Sequence, residues 1–235
     1  TVTFNYRFTP PRTQLKDLLD SGAIGEVTGI TFDWNLDRRH GADYFRRWHR
    51  RKENSGGLEV HKSTHHFDLV NWWLGSVPET VYATGGRRFY RPETAEDLGL
   101  QGRAPRCRDC RVNGCAFRLD MGAIENLKHL YLDCEEHDGY FRDRCIFAAE
   151  IDIEDTYRVQ AQYRGGAVLN YTLVAFSAWE GYAITFYGTD GVLAHRYVEN
   201  STINGAELET RKSELVETTL TRFGREPETI EVWKG

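Results

Sequence analysis

The chain has 235 residues, of which 40% are hydrophobic and 28% are charged, and its formal net charge is −5. This length suffices for one substantial core, and we predict a single domain over residues 1–235. The acidic balance excludes the basic surface typical of nucleic-acid-binding proteins. No apolar run approaches the roughly 18 residues of a membrane span, and no signal peptide is visible, so we predict a cytoplasmic protein without a membrane partner.

The first elements are predicted from their periodicity. Thr1 to Phe8 alternates apolar and polar side chains, which predicts a strand. Pro10 and Pro11 then open a helix that carries a stripe of leucines. Val27 to Leu36 alternates so regularly that we predict a half-buried strand.

An aromatic and basic segment, HGADYFRRWHRR, follows at His40 to Arg51. Arginine binds carboxylate and phosphate groups through two parallel hydrogen bonds. We therefore take Tyr44, Arg46 and Arg47 as candidates that bind an anionic or polyhydroxy substrate. In the alternative interpretation, the aromatic side chains anchor a loop and the arginines are solvated.

The densest group of polar side chains lies between Ser55 and Gly75. On a helix from His61 to Leu74, a rotation of about 100° per residue places two imidazoles and one carboxylate in a single stripe. The opposite side is apolar and can anchor the helix in a core. Surface or core histidines without a function remain the alternative, but the crowding favours a functional site. The candidates in this segment are His61, Lys62, His65, His66 and Asp68.

Val77 to Thr84 predicts a strand, and a polar stretch without clear periodicity follows it. A Cys-rich subregion around residues 100–146 then contains a C-x-x-C-x-x-x-x-C motif and a short predicted helix from Ile124 to Tyr131. Three nearby thiolates and a distant fourth predict a structural tetrahedral zinc site. Reduced cysteines or an isolated disulfide are the alternatives. The predicted ligands are Cys107, Cys110, Cys115 and Cys145, with Cys134 as an alternative fourth ligand.

From Asp152 onward the chain is predicted to be mostly strand. Tight turns join successive strands, which favours antiparallel pairing. We predict an α+β fold, a largely antiparallel open sheet with helices on one face. The other face is then available for a homodimer or homotetramer contact. The predicted strands are Tyr157 to Tyr163, Val168 to Phe176, Tyr182 to Tyr187, Val192 to Tyr197 and Thr229 to Trp233.

The sequence resembles the C-terminal domain of the glucose–fructose oxidoreductase, inositol dehydrogenase and MocA (Gfo/Idh/MocA) family. The motif that carries the resemblance comprises Gly56-Gly57, His65, Asp68 and Leu74-Gly75. His61 stands where the family usually has an aspartate. The segments FNYRFTP, HGADYFRRWHR and HDGYFRDRC extend the resemblance over most of the chain.

This resemblance implies an NAD(P)-dependent oxidoreductase that acts on a sugar, cyclitol or related polyol. In the family a preceding domain binds NAD or NADP, and the present chain has no G-x-G-x-x-G turn after a strand. We therefore expect no cofactor-binding residue within it. The resemblance places His65 at the reaction, with His61 in the partner position. We take His61, Lys62 and His65 as the catalytic candidates.

The segment HDGYFRDR at 137–144 resembles a recurrent loop of one subgroup of the family. The resemblance implies that Tyr140 and Arg142 lie near the substrate. The alternative is a simple turn built on Asp138 and Gly139.

Two other functions stay open. His61, His65 and Asp68 imitate a metal site of two histidines and one carboxylate, which indicates a metal-dependent enzyme. The chain can also be a non-catalytic domain for sugar binding or assembly. Some members of the family that this sequence resembles use their cofactor in a redox cycle that cleaves glycosidic bonds. This alternative also stays open.

Overall fold

The structure, a computed structural model, describes residues 3–199 and 215–233. Its helices are α1 Pro10–Asp20, α2 Arg38–Arg46, α3 Lys52–Ser55, α4 Leu58–His61, α5 Thr64–Leu74, α6 Pro92–Asp97, α7 Glu125–Leu130 and α8 Glu135–Asp138. Its strands are β1 Val27–Asp37, β2 Pro78–Gly86, β3 Thr156–Tyr163, β4 Val168–Ser177, β5 Glu180–Gly188, β6 Gly191–Glu199, β7 Leu215–Arg222 and β8 Glu228–Thr229. Short 3-10 helices occur at Asn5–Phe8, Trp48–Arg50, Met121–Ala123 and Leu132–Cys134.

All eight described strands form one sheet in the order β2-β3-β4-β1-β5-β6-β7-β8. The β1–β4 pair is parallel, and every other adjacent pair is antiparallel. The predicted α+β fold with a largely antiparallel open sheet is thus confirmed. The two predicted hairpins are present as β3–β4 and β5–β6.

Alternation along the strands places the core on one face of the sheet. In β1 the side chains of Phe32, Trp34 and Leu36 are fully buried. Helix α5 packs on this face, where Trp73 meets Phe32 and Phe186 edge-on. Three apolar side chains of α5 at helical spacing are buried there, so one side of the helix is fixed by the hydrophobic effect.

Helix α2 approaches the sheet closely because Gly41 has no side chain. A Cβ at this position would lie 1.6 Å from the Ala175 carbonyl oxygen, so only glycine allows the contact with β4. The segment at 40–51, for which a loop was the alternative prediction, is largely helical. Its backbone is held against the parallel pair of strands.

The predicted single helix from His61 to Leu74 is wrong. Helix α4 ends at His61, Lys62 and Ser63 form a break, and α5 starts at Thr64. Gly56 and Gly57 have φ values of 70° and 86°, positive values that favour glycine, in the connection between α3 and α4. His61 and Lys62 consequently lie at a junction and do not share one helical stripe with His65.

Two further expectations differ at the ends of the chain. Residues 1–2 lie outside the described part, and Asn5–Phe8 is a 3-10 helix that packs against α5, not a strand. The predicted last strand at Thr229 to Trp233 is reduced to Glu228–Thr229, which pairs with β7. Strand β7 itself was not predicted, since its threonine-rich sequence has a weak apolar alternation. No helix of residues 3–199 and 215–233 is long and apolar enough to cross a membrane.

Candidate functional site

Lys62 lies at the centre of a group of aromatic and imidazole side chains, at the junction between α4 and α5. Its Nζ donates a hydrogen bond to the Tyr6 hydroxyl at 3.1 Å. The same atom lies 5.5 Å from the ring centroid of Tyr6 and 5.7 Å from that of Trp34, so two π faces stabilise the cation. We term this group the Lys62 cluster. Its members are Tyr6, Trp34, Tyr44, Lys62, His65 and His66.

Opposing effects set the charge of Lys62. Burial lowers the pKa of Lys62, but Tyr44, Tyr6 and Glu180 together raise it above its ordinary value. The ammonium group is therefore charged at neutral pH. A partly buried ammonium group can stabilise an oxygen that gains negative charge during a reaction.

His65 is the second reactive group of the cluster. Its ring stacks on Tyr6 with the centroids 4.6 Å apart and meets Phe4 edge-on at 5.9 Å. Burial and the nearby Lys62 lower the pKa of His65, which favours the neutral imidazole. Its Nδ1 is buried and has no hydrogen-bond partner among the described residues. In a neutral imidazole one nitrogen carries the proton and the other is a proton acceptor.

His66 lies behind the cluster in the core. Its ring is fully buried and stacks on Trp34 with the centroids 3.7 Å apart. Its Nδ1 lies 2.6 Å from the Tyr171 hydroxyl, which is in turn 3.0 Å from the Ser63 hydroxyl. Burial holds the pKa of His66 well below its ordinary value. These contacts fix the Trp34 indole beneath Lys62.

His61 and His49 form the outer side of the site. Their ring centroids are 4.1 Å apart, and His49 stacks on Trp48 at 3.9 Å. Burial, His61 and Arg47 lower the pKa of His49 to about 3. The pKa of His61 is also lowered, by burial and by Lys62 and Arg47. Both imidazoles are therefore neutral at neutral pH.

A carboxylate–imidazole–phenol chain reaches the cluster from β5. Glu180 accepts a hydrogen bond from the backbone N–H of Asp37 at 2.6 Å, and its other oxygen lies 2.9 Å from His40 Nδ1. His40 Nε2 is 3.5 Å from the Tyr44 hydroxyl. Burial raises the pKa of Tyr44, so the phenol stays neutral. Both ends of this chain act on Lys62, since Tyr44 and Glu180 each raise its pKa.

Asp68, a candidate substrate ligand, is bound within the protein. Arg7 Nε donates to its Oδ2 at 2.7 Å, and Arg7 Nη2 donates to its Oδ1. This bidentate pair ties α5 to the N-terminal 3-10 helix. A contact between Asp68 and a substrate stays a prediction.

The two arginine candidates of α2 and its C-cap point in different directions. Arg46 is buried and donates to the Phe117 carbonyl oxygen at 2.9 Å, so it faces the Cys-rich subregion. Arg47 is 28% exposed, and its Nη1 lies 3.4 Å from Asp43 Oδ2. Burial lowers the pKa of Arg47, while Tyr140 and Asp43 raise it above its ordinary value. Of the two, Arg47 lies next to the outer histidines.

The loop after α8 brings Tyr140 and Arg142 to the same place. An Asx turn, in which the backbone N–H of Tyr140 donates to Asp138 Oδ1 at 2.8 Å, shapes this loop. Arg142 is fully buried, and its Nη2 lies 2.6 Å from Asp43 Oδ1. The sequence candidates Tyr140 and Arg47 are therefore neighbours, although 93 positions separate them in the chain.

A family model described as the C-terminal alpha/beta domain of an oxidoreductase family matches residues 16–235. The chain belongs to the Gfo/Idh/MocA oxidoreductase family. A Bacillus subtilis protein named as an oxidoreductase, YteT, is 42% identical over 200 residues, which are 81% of this chain and 46% of YteT. Inositol 2-dehydrogenase of Rhizobium meliloti is 34% identical over 83 residues, 35% of this chain and 23% of that enzyme.

Solved structures share the fold. A levoglucosan dehydrogenase in complex with NADH and levoglucosan has a TM-score of 0.59 at 14% identity, over 100% of this chain and 47% of that chain. An aldose-aldose oxidoreductase from Caulobacter crescentus has a TM-score of 0.55 at 13% identity, over 99% of this chain and 47% of that chain. The present chain thus spans about half the length of the Gfo/Idh/MocA proteins that it matches.

The four cysteines predicted as ligands lie close together, but a zinc site is not supported. Cys107, Cys110, Cys115 and Cys145 all line one small cavity of about 30 Å³, whereas Cys134 lies elsewhere and contacts the His129 carbonyl oxygen. All five cysteines are free. Within the described residues no group of three or more His, Cys, Asp or Glu is arranged to hold a metal ion, so the predicted zinc is not supported. Burial raises the pKa of the Cys115 and Cys145 thiols.

Several residues of the site were not predicted from sequence. Tyr6 and Trp34 were assigned to strands as ordinary alternating residues, and nothing in their spacing indicates that they meet Lys62. Glu180 follows Trp179 near a strand start, a position without any local signal. The buried Glu180 carboxylate can be assigned to the site only once β5 is known to lie beside β1 in the sheet. The unpredicted residues are Tyr6, Trp34, His40, Asp43, His49 and Glu180.

Proposed function

We propose that this chain is the substrate-binding part of an NAD(P)-dependent oxidoreductase that acts on a sugar, cyclitol or related polyol. The observation that carries the proposal is the pairing of a charged Lys62 with a neutral His65, both of which contact Tyr6. A proton donor and a proton acceptor are thus held together on a rigid aromatic support. Membership of the oxidoreductase family supports the reaction class.

Removal of hydride from a carbinol carbon requires removal of the hydroxyl proton. His65 Nε2 is proposed to accept that proton, because burial keeps the ring neutral and Nε2 is not enclosed as Nδ1 is. Lys62 is proposed to donate a hydrogen bond to the same substrate oxygen as its negative charge grows. His61 lies at the outer edge, where it is proposed to exchange protons with solvent.

Tyr44 and Trp48 are proposed to contact the hydroxyl-bearing ring of the substrate. Trp48 is 41% exposed and stacks on His49, so it presents an aromatic surface without losing its support. Aromatic faces and single polar groups in combination suit a polyol, which has both C–H and O–H surfaces. His66 is proposed to hold the Trp34 ring in place, and Asp68 is proposed to hold α5 in place.

NAD or NADP, when bound, accepts or returns the hydride. We assign none of its contacts to this chain, because the described residues contain no glycine-rich turn between a strand and a helix. The polar groups of the Lys62 cluster fit the substrate side of such a reaction, since they handle protons and negative charge. Binding of the nucleotide is proposed to belong to a further part of the full-length protein.

The proposal is tested with the full-length protein. NAD+ and NADP+ are each combined with a panel of cyclitols and neutral and acidic sugars, and reduction of the nicotinamide is followed by absorbance. We expect one coenzyme and a restricted group of substrates to support turnover. If neither coenzyme is reduced while sugars still bind by calorimetry, the non-catalytic binding domain is the better interpretation.

We also propose self-association through the open face of the sheet. On β3 the side chains of Arg158, Gln160 and Gln162 alternate outward and are exposed, whereas the intervening residues are buried. Light scattering of the full-length protein tests this proposal, and glutamate substitutions at Gln160 and Gln162 are expected to weaken association. A monomer at all concentrations would contradict it.

A further inference from the structure

Three guanidinium groups share one carboxylate beside the outer histidines. Asp43 is mostly buried and lies 2.6 Å from Arg142, 3.4 Å from Arg47 and 4.0 Å from Arg46. The described residues contain no second carboxylate within 4.0 Å of these three arginines. Arg46 is satisfied by the Phe117 carbonyl oxygen, but Arg47 and Arg142 leave positive charge unmatched. Unmatched buried charge is costly unless something of opposite charge approaches it.

Several hydrogen-bond donors at this point are buried and unpartnered. Arg142 is fully buried, and its Nε and Nη1 meet no acceptor among the described residues. The Nε of Arg47 and the hydroxyl of Tyr140 are likewise buried, and neither has a partner at full hydrogen-bond geometry, although the two side chains lie close enough for Tyr140 to raise the pKa of Arg47. The Arg142 guanidinium carbon lies 5.6 Å from the centroid of the Tyr131 ring. The ring covers part of the guanidinium group, but its face is not a hydrogen-bond acceptor atom. Native proteins satisfy most buried donors, so a concentration of unsatisfied donors indicates a ligand.

We infer that Arg47 and Tyr140, with the buried positive charge of Arg142 behind them, bind a carboxylate group of the substrate, so that the substrate is a sugar acid and not a neutral polyol. This inference rests on the proposed function, because it assigns a further group of the same substrate. Arg47 is partly exposed and lies next to His49 and His61. A substrate whose carboxylate binds at Arg47 can therefore extend past these histidines to the Lys62 cluster. Guanidinium groups hold carboxylates through parallel hydrogen bonds, and the Tyr140 hydroxyl supplies a further donor.

A carboxylate fits this place better than a phosphate. Arg47 is only 28% exposed and Arg142 behind it has no exposed surface, so a group bound to Arg47 must lose much of its hydration. The cost of removing water rises steeply with charge, and a carboxylate carries one charge where a phosphate monoester carries nearly two. Asp43 also stays in the cluster and repels a more highly charged anion.

The inference is tested by calorimetric binding to the full-length protein. Glucuronate, galacturonate and mannuronate are compared with glucose, galactose and mannose, which differ from them only at one carbon, and with glucose 6-phosphate. We expect at least one acid to bind about tenfold or more tightly than its neutral counterpart, because charge-assisted hydrogen bonds are lost in the neutral sugar. Arg47→Gln and Tyr140→Phe are expected to reduce this preference without changing the circular dichroism spectrum. Arg164→Gln, at a 73% exposed arginine that pairs with Glu79, is the matched control and should keep it.

Three results would overturn the inference: equal binding of acids and neutral sugars, no binding of any acid, or tightest binding of the phosphate. The binding measurement does not require hydride transfer. Failure of the proposed oxidoreductase function therefore leaves acid binding testable. Oxidation of neutral polyols with no preference for acids refutes the carboxylate site but leaves the proposed function intact.

Discussion

Arg7 and Asp68 form a bidentate ion pair between segments 61 residues apart in the chain. The Asp68 side chain is 10% exposed and the Arg7 side chain 33%. Arg7 also lies 5.9 Å from the centroid of the Trp72 ring. Because Tyr6 precedes Arg7 directly, this pair fixes the residue that supports both Lys62 and His65.

Asp68→Asn is expected to lower the free energy of unfolding by about 1.5–3 kcal/mol, the usual range for a hydrogen bond to a charged group. Arg7→Met should have a similar effect, and the double variant should be less destabilised than the sum of the two, because both changes remove one interaction. Urea unfolding measures all three. The exposed pair Arg164 and Glu79 serves as a control for surface charge changes. Strict additivity would show that the two side chains do not stabilise each other.

His65→Ala in the full-length enzyme is expected to reduce turnover about 10²- to 10⁴-fold, the range for loss of a general base. The fold should be retained, since α5 is anchored by its opposite side. His129→Ala, at an exposed histidine far from the cluster, is the matched control. Steady-state kinetics and circular dichroism check both parts. Near-normal turnover in the His65 variant would remove this residue from the reaction.

Lys62→Met is expected to reduce turnover strongly while Lys62→Arg retains part of it, because arginine keeps the charge but not the position of the ammonium group. Tyr6→Phe should have a smaller effect, since it removes only one acceptor from Lys62. The ratio of the turnover of Lys62→Met to that of Lys62→Arg measures how much the positive charge contributes to turnover. If both variants lose activity equally and also unfold, Lys62 serves the structure of the α4–α5 junction.

The regular parts of the fold could be predicted because their residues alternate strictly. Strands β1, β3 and β4 follow the predicted ranges within a few residues, since each buries every second side chain. The Thr1 to Phe8 prediction failed for a physical reason. Its aromatic residues alternate like a strand, but Tyr6 packs on His65 and Arg7 pairs with Asp68, so tertiary contacts decide the conformation.

The site could be predicted in part. The density of polar residues between His61 and Asp68 indicated the segment from which the candidate site is built, but helical geometry could not reveal the break at Lys62 and Ser63. Glu180 lies 118 positions after Lys62 in the sequence, so no spacing rule connects them. Such contacts depend on strand order, and the parallel β1–β4 pair was not foreseen.

The buried histidines predict a loss of stability in acid. Burial, followed by Arg12, lowers the pKa of His195 from 6.5 to about 4, and its two ring nitrogens contact Thr218 and Tyr182. Between these two pKa values the unfolded chain binds a proton that the folded chain does not, so stability falls as pH decreases from 6.5 towards 4. His195 is 2% exposed, and its share of the loss between pH 7 and pH 5 is about 2 kcal/mol.

Urea unfolding of the wild type and of His195→Gln at pH 7 and pH 5 checks this effect. Glutamine cannot take up the proton, so the variant should lose less stability between the two pH values, even if it is less stable at pH 7. His137→Gln, at a 74% exposed side chain, should follow the wild type. The depressed pKa of His49 acts in the same direction, so some acid sensitivity should persist in the His195 variant. Parallel pH dependence of all three proteins would contradict the prediction, because it would mean that His195 titrates alike in the folded and unfolded chains.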